Sequence, residues 1–162
     1  MTTFASDTEH PEEAKAPPRS ARRRAREFVL QGLYQWRVGG ADAAAIEAQI
    51  AEMEDFARAD GDFFVATLRG VIGQHERLTA LVAAHIDRPF NELSPIEACV
   101  LLMGAHELAD NPETPYRVII NEAIELTKSF GGTDGHKYVN GVLDKVAAAV
   151  RPAEVEARKK GR

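Results

Sequence analysis

Hydrophobic residues recur at helical spacing along most of this chain. The clearest example is a predicted helix at about Asp62–Ile86, where apolar residues follow one another at intervals of four, three, seven and four positions. The residues of that face are Phe64, Leu68, Val71, Leu78 and Val82. No stretch alternates apolar and polar residues between turn signals, as a half-buried strand would. The pattern therefore predicts an all-α protein.

Five further helices are indicated by the same periodicity and by residues that begin or end helices. They cover approximately residues 20–38, 43–53, 95–108, 115–130 and 134–150. Ser20 and Ser94 are good N-caps, and Ser94 with Glu97 forms a capping box around a proline at the first helical position. The helix after Ser94 is apolar almost all round, which is typical of an element surrounded by others. We predict a compact bundle of about seven helices with this one at its centre.

The predicted core comprises the apolar stripes of these helices. On the helix at 115–130 the stripe includes Phe130, next to the glycines that end the helix. Cys99, the only cysteine, excludes an intramolecular disulfide and is expected to be a small apolar residue of the core. The glycines Gly70 and Gly73 interrupt their helix and suggest close packing of another helix.

The chain divides by composition into one domain and two tails. Residues 1–19 are acidic and proline-containing with few large apolar side chains, so we predict a disordered extension. Residues 20–152 form the predicted domain, and 153–162 a charged C-terminal tail. The start of the chain has no basic and apolar blocks of a secretion signal, and no run reaches the roughly 18 apolar residues of a membrane span. A cytoplasmic protein without membrane contact is expected.

The net charge of −5 conceals two basic ends on an acidic body. Residues 15–38 contain seven basic residues and one acidic residue, and residues 151–162 contain five basic and two acidic residues. The distribution of charge matters more for nucleic-acid binding than the sum does. The acidic body is suited to a basic protein partner.

The sequence contains no complete motif of catalytic or metal-binding residues. His75-Glu76 and His106-Glu107 resemble half of a zinc-protease motif, but the second histidine is absent, because Thr79 and Asp110 stand at those positions. The glycine-rich segment 131–135 follows no strand and lacks the ending of a phosphate-binding loop. We therefore predict no catalytic residues, no metal and no cofactor.

An arginine cluster near the start of the first helix is the strongest candidate site. Arg22, Arg23, Arg24 and Arg26 are predicted in its first turns, where the helix macrodipole disfavours cations. RNA phosphates would offset that cost, although a solvated run of charge at a frayed end is the alternative. Tyr34 lies on the same face, as either a platform for an unpaired base or a half-buried packing residue.

Three segments resemble the NusB family of transcription antitermination factors over about residues 20–152. They are Arg22–Glu27 with Gln31–Trp36, Val118–Gly131, and Asp134–Lys145. The resemblance implies a two-part helical fold that binds boxA RNA together with NusE, a small-subunit ribosomal protein, within RNA polymerase antitermination complexes. It also implies a role in ribosomal RNA transcription.

The resemblance further implies which residues make these contacts. The expected RNA-binding residues are Arg22, Arg23, Arg24, Arg26, Asp134, Lys137 and Tyr138. Tyr34 and Glu97 are expected at or near the NusE surface, and this role weakens the base-stacking hypothesis for Tyr34. Tyr138 departs from the family pattern because phenylalanine is common there, and both tails are longer than usual.

Two alternatives are compatible with the sequence. A self-associating helical scaffold without RNA binding would use apolar helix faces to form a homodimer, and it is predicted to bury the arginine helix. The NusB-like domain of certain ribosomal RNA methyltransferases is the other, but no cofactor-binding domain follows in this sequence.

Overall fold

The computed structural model describes residues 18–161. This part of the chain contains eight α-helices and two short 3-10 helices. The α-helices are α1 (Pro18–Gly39), α2 (Ala43–Ala51), α3 (Gly61–Gly73), α4 (His75–Ala83), α5 (Pro95–Asp110), α6 (Tyr116–Phe130), α7 (Gly135–Val150) and α8 (Pro152–Lys160). The 3-10 helices are Glu54–Arg58 and Phe90–Glu92. The all-α prediction is confirmed. The predicted extension 1–19 lies outside the described residues, except that α1 includes its last two.

Helix α5 is the centre of the bundle, as its apolar sequence predicted. Every residue from Ala98 to Leu108 is buried, and α1, α3, α4, α6 and α7 all pack against it. The Ser94 side chain caps the helix by accepting a hydrogen bond from the Glu97 N–H at 3.2 Å. Cys99 is fully buried, and burial raises the pKa of its thiol to about 11. The central helix thus sets the positions of the elements on every side of it.

Two groups of helices share this centre. Helices α1, α2 and α3 pack against one another, with Ile46 and Ile50 of α2 buried beside Gly32 of α1. Helices α5, α6 and α7 form the second group, in which Leu143 packs closely over Gly104. A Cβ atom at Gly104 would lie 2.7 Å from Leu143 Cδ1, so any larger residue would force the Leu143 side chain to move. The two groups meet through α1 and α3 against α5.

The helix predicted at Asp62–Ile86 is two helices, α3 and α4, which are separated at Gln74. Gln74 leaves the helical region with φ −120° and ψ 26°, although the apolar face continues across it. The close packing expected at Gly70 is confirmed, because a Cβ atom there would lie 2.5 Å from His106 Cε1. The same expectation at Gly73 is wrong, since no atom of the described residues lies within 4 Å of a Cβ atom there. The break lets each half of the predicted helix follow its own direction.

Two details of the sequence prediction are wrong. Helix α1 begins at Pro18, so Ser20 lies inside the helix and is not its N-cap. Phe130 was expected in the core, but it is 50% exposed at the end of α6. Both errors concern helix ends, where local signals compete with tertiary contacts.

The segment after Pro152 forms a short helix that is docked onto the bundle through Arg151. The Arg151 side chain donates to four backbone carbonyls at 2.6–3.1 Å, those of Glu107, Leu108, Asn111 and Thr114. It also donates to the Glu154 carboxylate at 2.9 Å, and Glu154 accepts from the Tyr116 N–H at 2.9 Å. Leu108 lies in the last turn of α5 and has no i+4 donor, because residue 112 is proline, so Arg151 satisfies its carbonyl. At Glu107 it adds a second hydrogen bond to a carbonyl that already accepts from the Asn111 N–H at 3.0 Å.

The helices are of the lengths and compositions found in a packed bundle. Among residues 18–161, no helix is both long enough and apolar enough to cross a bilayer.

Candidate RNA and protein interface

The arginine cluster lies five to nine residues into α1, which places it beyond the first turn. The macrodipole falls off within that turn, so its cost for these cations is smaller than the sequence suggested. Two members of the cluster face α3 at Phe63, whose ring centroid lies 4.6 Å from Arg22 Cζ and 5.0 Å from Arg26 Cζ. Carboxylates of the protein itself pair with three of these arginines, Arg22, Arg23 and Arg26.

Arg26 is buried, with 3% of its surface exposed, and this corrects its expected role as an RNA contact. Its guanidinium makes two hydrogen bonds to the Glu107 carboxylate, at 2.9 and 2.8 Å, and lies 4.0 Å from Glu122. Burial acts to lower the pKa of Arg26, but the bonds and charge of Glu107, with Glu122, outweigh it and raise the pKa. A group enclosed in this way cannot reach a phosphate without leaving Glu107 unpaired.

Arg23 is the more accessible member of the cluster. Its side chain is 43% exposed, and it holds the buried Glu122 through Nε at 3.0 Å and Nη2 at 2.8 Å. These contacts raise the pKa of Arg23. The Nη1 group lies outside the two bonds, so one edge of the guanidinium remains for another acceptor.

The other two arginines are partly exposed. Arg22 pairs with Asp60, the N-cap of α3, at 3.3 Å and is 38% exposed. Arg24 is half-buried and also has an interaction within the protein. The carboxylates Asp60, Glu107 and Glu122 therefore supply much of the compensation that sequence reasoning assigned to RNA phosphates.

The second expected RNA-binding region is the start of α7, Asp134–Tyr138, here called the α7 corner. Asp134 and Lys137 are about three-quarters exposed, with their charged groups 3.8 Å apart. Arg88 Cζ lies 4.7 Å from the Tyr138 ring centroid, and its Nε donates to Asp87 at 3.0 Å. Partial burial raises the pKa of the Tyr138 hydroxyl. Arg88 was missed by sequence reasoning because it lies in an unremarkable charged turn far from α7 along the chain.

The Glu97 side chain, in the first turn of α5, packs against the α7 corner. Its Oε2 atom lies 2.7 Å from where a Cβ atom of Gly135 would stand, so the missing side chain makes room for the carboxylate. Arg26 contacts Glu107, ten residues further along α5, a distance of about 15 Å at 1.5 Å per residue. The arginine cluster and the α7 corner therefore lie at opposite ends of the central helix and are not brought together.

Tyr34 lines an apolar groove of about 430 Å³ that α1 forms with the start of α5 and the end of α6. We call it the α1 groove, and its lining includes Leu30, Gln31, Tyr34, Ile96 and Phe130. Tyr34 is 40% exposed and Phe130 50%, so two aromatic side chains are available at the surface. Sequence reasoning placed Tyr34 at a protein surface but assigned Phe130 to the core.

The two histidines that resembled half of a metal-binding motif, His75 and His106, each contact another side chain of the protein. His106 is buried with Nδ1 3.2 Å from Asp110, and burial lowers its pKa, while the His75 ring packs at 5.1 Å against Trp36. Within residues 18–161, no group of three or more His, Cys, Asp and Glu side chains is arranged to hold a metal ion.

The sequence is similar to proteins of the NusB family along most of its length. The profile of that family matches residues 23–148. A transcription antitermination protein NusB of Dechloromonas aromatica (strain RCB) is 74% identical over 162 residues, which is 100% of this chain and 99% of that protein. The protein of the same name in Cupriavidus pinatubonensis is 54% identical over 147 residues, 91% of this chain and 88% of that one.

Solved structures have the same fold. T. maritima NusB matches with a TM-score of 0.74 and 26% identity, covering 87% of this chain and 98% of that one. A crystal structure of antitermination factors NusB and NusE in complex with dsRNA contains a chain that matches with a TM-score of 0.73. That chain is 20% identical, with 78% of this chain and 96% of that one covered, so it supports the fold alone.

Proposed function

The chain belongs to the NusB family, and we propose that it is an RNA-binding transcription antitermination factor. It binds boxA RNA together with NusE and joins RNA polymerase antitermination complexes that support ribosomal RNA transcription. The observation that carries the proposal is the similarity over the whole chain to a protein named for transcription antitermination. No catalytic step is part of this function.

The proposed RNA surface consists of partly exposed cationic and aromatic side chains on α1 and α7. They are Arg22, Arg23, Arg24, Lys137 and Tyr138, with Asp134 at the edge of the α7 corner. Arg26 is omitted because it is buried against Glu107. Since about 15 Å of α5 separates the two regions, an RNA that touches both has to span several nucleotides. Phosphates meet the arginines, and the Tyr138 ring is suited to stacking on a base.

Replacing Arg23 and Arg24 together with alanine should weaken binding to a boxA single strand, because the phosphates then have fewer cationic partners. The slope of log affinity against log salt should flatten by about 0.7–1 for each phosphate that is no longer neutralised. Fluorescence anisotropy at several salt concentrations measures both quantities.

The control for this variant removes two exposed arginines elsewhere. Arg69 and Arg77 pair with Glu47 and Asp110 at the surface, so their double alanine variant changes net charge equally without touching α1. Because Arg23 also holds the buried Glu122, unfolding of each variant is followed by circular dichroism. Equal affinity and equal salt slope in a folded double variant would contradict the RNA assignment of the cluster.

The proposed NusE surface is the α1 groove with Glu97 beside it. Tyr34 and Phe130 are exposed at this apolar groove. Aromatic side chains that become buried when a partner binds contribute most of the binding energy in many protein interfaces. Glu97 adds an acidic group, which suits a basic ribosomal protein. The rest of the acidic body is also negatively charged and would attract the same basic partner.

Replacing Glu97 with lysine should reduce capture of the NusE-type protein in a pull-down, while the melting temperature falls only modestly. The modest decrease in stability is expected because lysine in the first turn of α5 opposes the helix macrodipole. Glu76→Lys is the matched control, since Glu76 stands exposed in the first turn of α4. Unchanged capture, or complete unfolding, would show that Glu97 acts only as part of the helix cap.

Self-association is the alternative function, and the α1 groove is the observation that favours it. Two copies that cover Tyr34 and Phe130 would bury apolar surface that is now exposed. Sedimentation velocity distinguishes the alternatives: a stable dimer that neither binds RNA nor exchanges for the NusE-type partner supports a scaffold.

A further inference from the structure

A shallow depression lies between the end of α4 and the outer face of α7. Its volume is about 590 Å³, and its walls include His85, Ile86, Tyr138 and Val142. Lys137, Gly141 and Lys145 lie along its α7 side, and we call the site the Gly141 depression. Apolar walls with cations around them suit a ligand that has a flat hydrophobic part and a negative charge.

Gly141 is an unusual residue for the middle of α7. Glycine in a helix interior costs about 1 kcal/mol relative to alanine. Packing within the described part of the chain does not require this glycine, since no neighbouring atom there lies within 4 Å of where its Cβ atom would stand. Gly104 differs, because Leu143 occupies the space above it. The open space over Gly141 therefore lies in the depression and is available to a molecule that approaches the helix closely.

Lys137 and Lys145 stand on either side of this glycine. Residues at i, i+4 and i+8 share one helix face, so the two lysines are about 12 Å apart along α7 with Gly141 midway. The Lys137 side chain is 75% exposed, and its ammonium group lies 3.8 Å from the Asp134 carboxylate, a loose pairing at the surface. Both side chains are long and flexible enough to reach phosphates of one strand that crosses the helix at the glycine.

The charged groups around the depression favour RNA over a protein as its occupant. Lys137 and Lys145 line the depression, and Arg88 lies over the Tyr138 ring, so three cations surround it. Two acids accompany them: Asp87 contacts Arg88, and Asp134 lies 3.8 Å from Lys137. The guanidinium of Arg88 covers the Tyr138 ring at 4.7 Å, and a nucleobase stacks on either kind of group. The α1 groove, with its exposed aromatic residues, is the better match for a protein anchor.

We propose that an unpaired RNA nucleotide lies in the Gly141 depression, with its flanking phosphates at Lys137 and Lys145. The base contacts the Tyr138–Arg88 pair and the apolar wall of Ile86 and Val142, and the strand approaches α7 at Gly141. The site extends the α7 corner by nearly two helical turns. This inference rests on the proposed RNA-binding function and adds the place where one base is held.

The test fills the depression without disturbing the fold. Gly141→Leu places a side chain in open space and improves helix propensity, so the melting temperature should not fall. Affinity for a single-stranded boxA RNA should fall by roughly tenfold, as the removal of one stacked base implies. Lys145→Ala should flatten the salt slope by about 0.7, the value for one phosphate of a single strand.

Matched variants and a crosslink locate the effect. Gly73→Leu adds the same side chain to a helical glycine with open space outside the depression, and Lys128→Ala removes an exposed lysine of α6. Both should bind RNA as the unchanged protein does. In addition, boxA RNA carrying 5-bromouridine should crosslink to the peptide that contains residues 137–145.

The outcomes separate this site from the general function. If the unchanged protein binds RNA and Gly141→Leu binds it equally well, the site is wrong and the proposed function stands. If Gly141→Leu instead weakens only the capture of the NusE-type protein, the depression is a protein contact and the inference is overturned. Failure of the unchanged protein to bind boxA RNA, alone or with that partner, would overturn both.

Discussion

Replacing Arg26 with alanine is expected to lower the free energy of unfolding by about 3–5 kcal/mol, the cost of removing one partner of a buried ion pair. Glu107 is 2% exposed and would lose both hydrogen bonds that Arg26 donates to it, with no access to water to replace them. Glu122, 4.0 Å from Arg26, would also be deprived of a cationic neighbour. Urea unfolding followed by circular dichroism measures the change.

Two controls separate burial from charge. Arg69 makes the same two-bond contact, with Glu47 at 2.9 Å, but its side chain is 69% exposed, so Arg69→Ala should change stability little. The double variant Arg26→Met, Glu107→Leu should recover most of the stability, because neither charge is then buried alone. An Arg26→Ala protein that is as stable as the unchanged chain but no longer binds RNA would restore Arg26 to the RNA surface.

Replacing Arg151 with alanine should lower the free energy of unfolding by about 2–4 kcal/mol, because a charged donor is removed from four backbone carbonyls. Two of them, Glu107 and Leu108, belong to the last turn of α5, where a cation also counters the helix dipole. Glu154 would be left without this arginine as well, which should loosen α8. Thermal and urea unfolding give the size of the effect.

Arg151→Lys is the matched variant, since lysine keeps the charge but cannot reproduce the five-donor fork. Its stability should lie between those of the alanine variant and the unchanged protein. Limited proteolysis should cut the alanine variant within α8 sooner than the others. A decrease in stability below measurement error in Arg151→Ala would mean that water replaces the guanidinium at all four carbonyls.

The parts of the fold that local sequence determines were predictable. The Ser94 cap, the proline after it and the apolar run of α5 act within a few residues of one another, so they identified the central helix. The break at Gln74 was not predictable, because the apolar face continues across it and no proline marks it. Both α3 and α4 pack against α5, a long-range contact that local sequence does not reveal.

The candidate site was predicted less completely than the fold, because its contacts are long-range. Arg26 looked like its neighbours in the arginine run, and its partner Glu107 lies 81 residues away. Phe130 fitted an apolar stripe, yet the helices between residues 18 and 161 leave half of its surface uncovered. Arg88 lies over Tyr138 from a distant turn. The sequence shows where cationic and aromatic side chains occur. Their burial, and the ion pairs they form with distant residues, decide which of them are accessible to a ligand.

We propose that this NusB-family chain binds boxA RNA and binds it more tightly together with its ribosomal partner. Titration of labelled boxA single strand with the protein, alone and with the NusE-type protein, tests it most directly. We expect saturable binding that tightens when the partner is present and weakens steeply with salt. Equal, weak binding of boxA and an unrelated strand of the same length, with no effect of the partner, would contradict it.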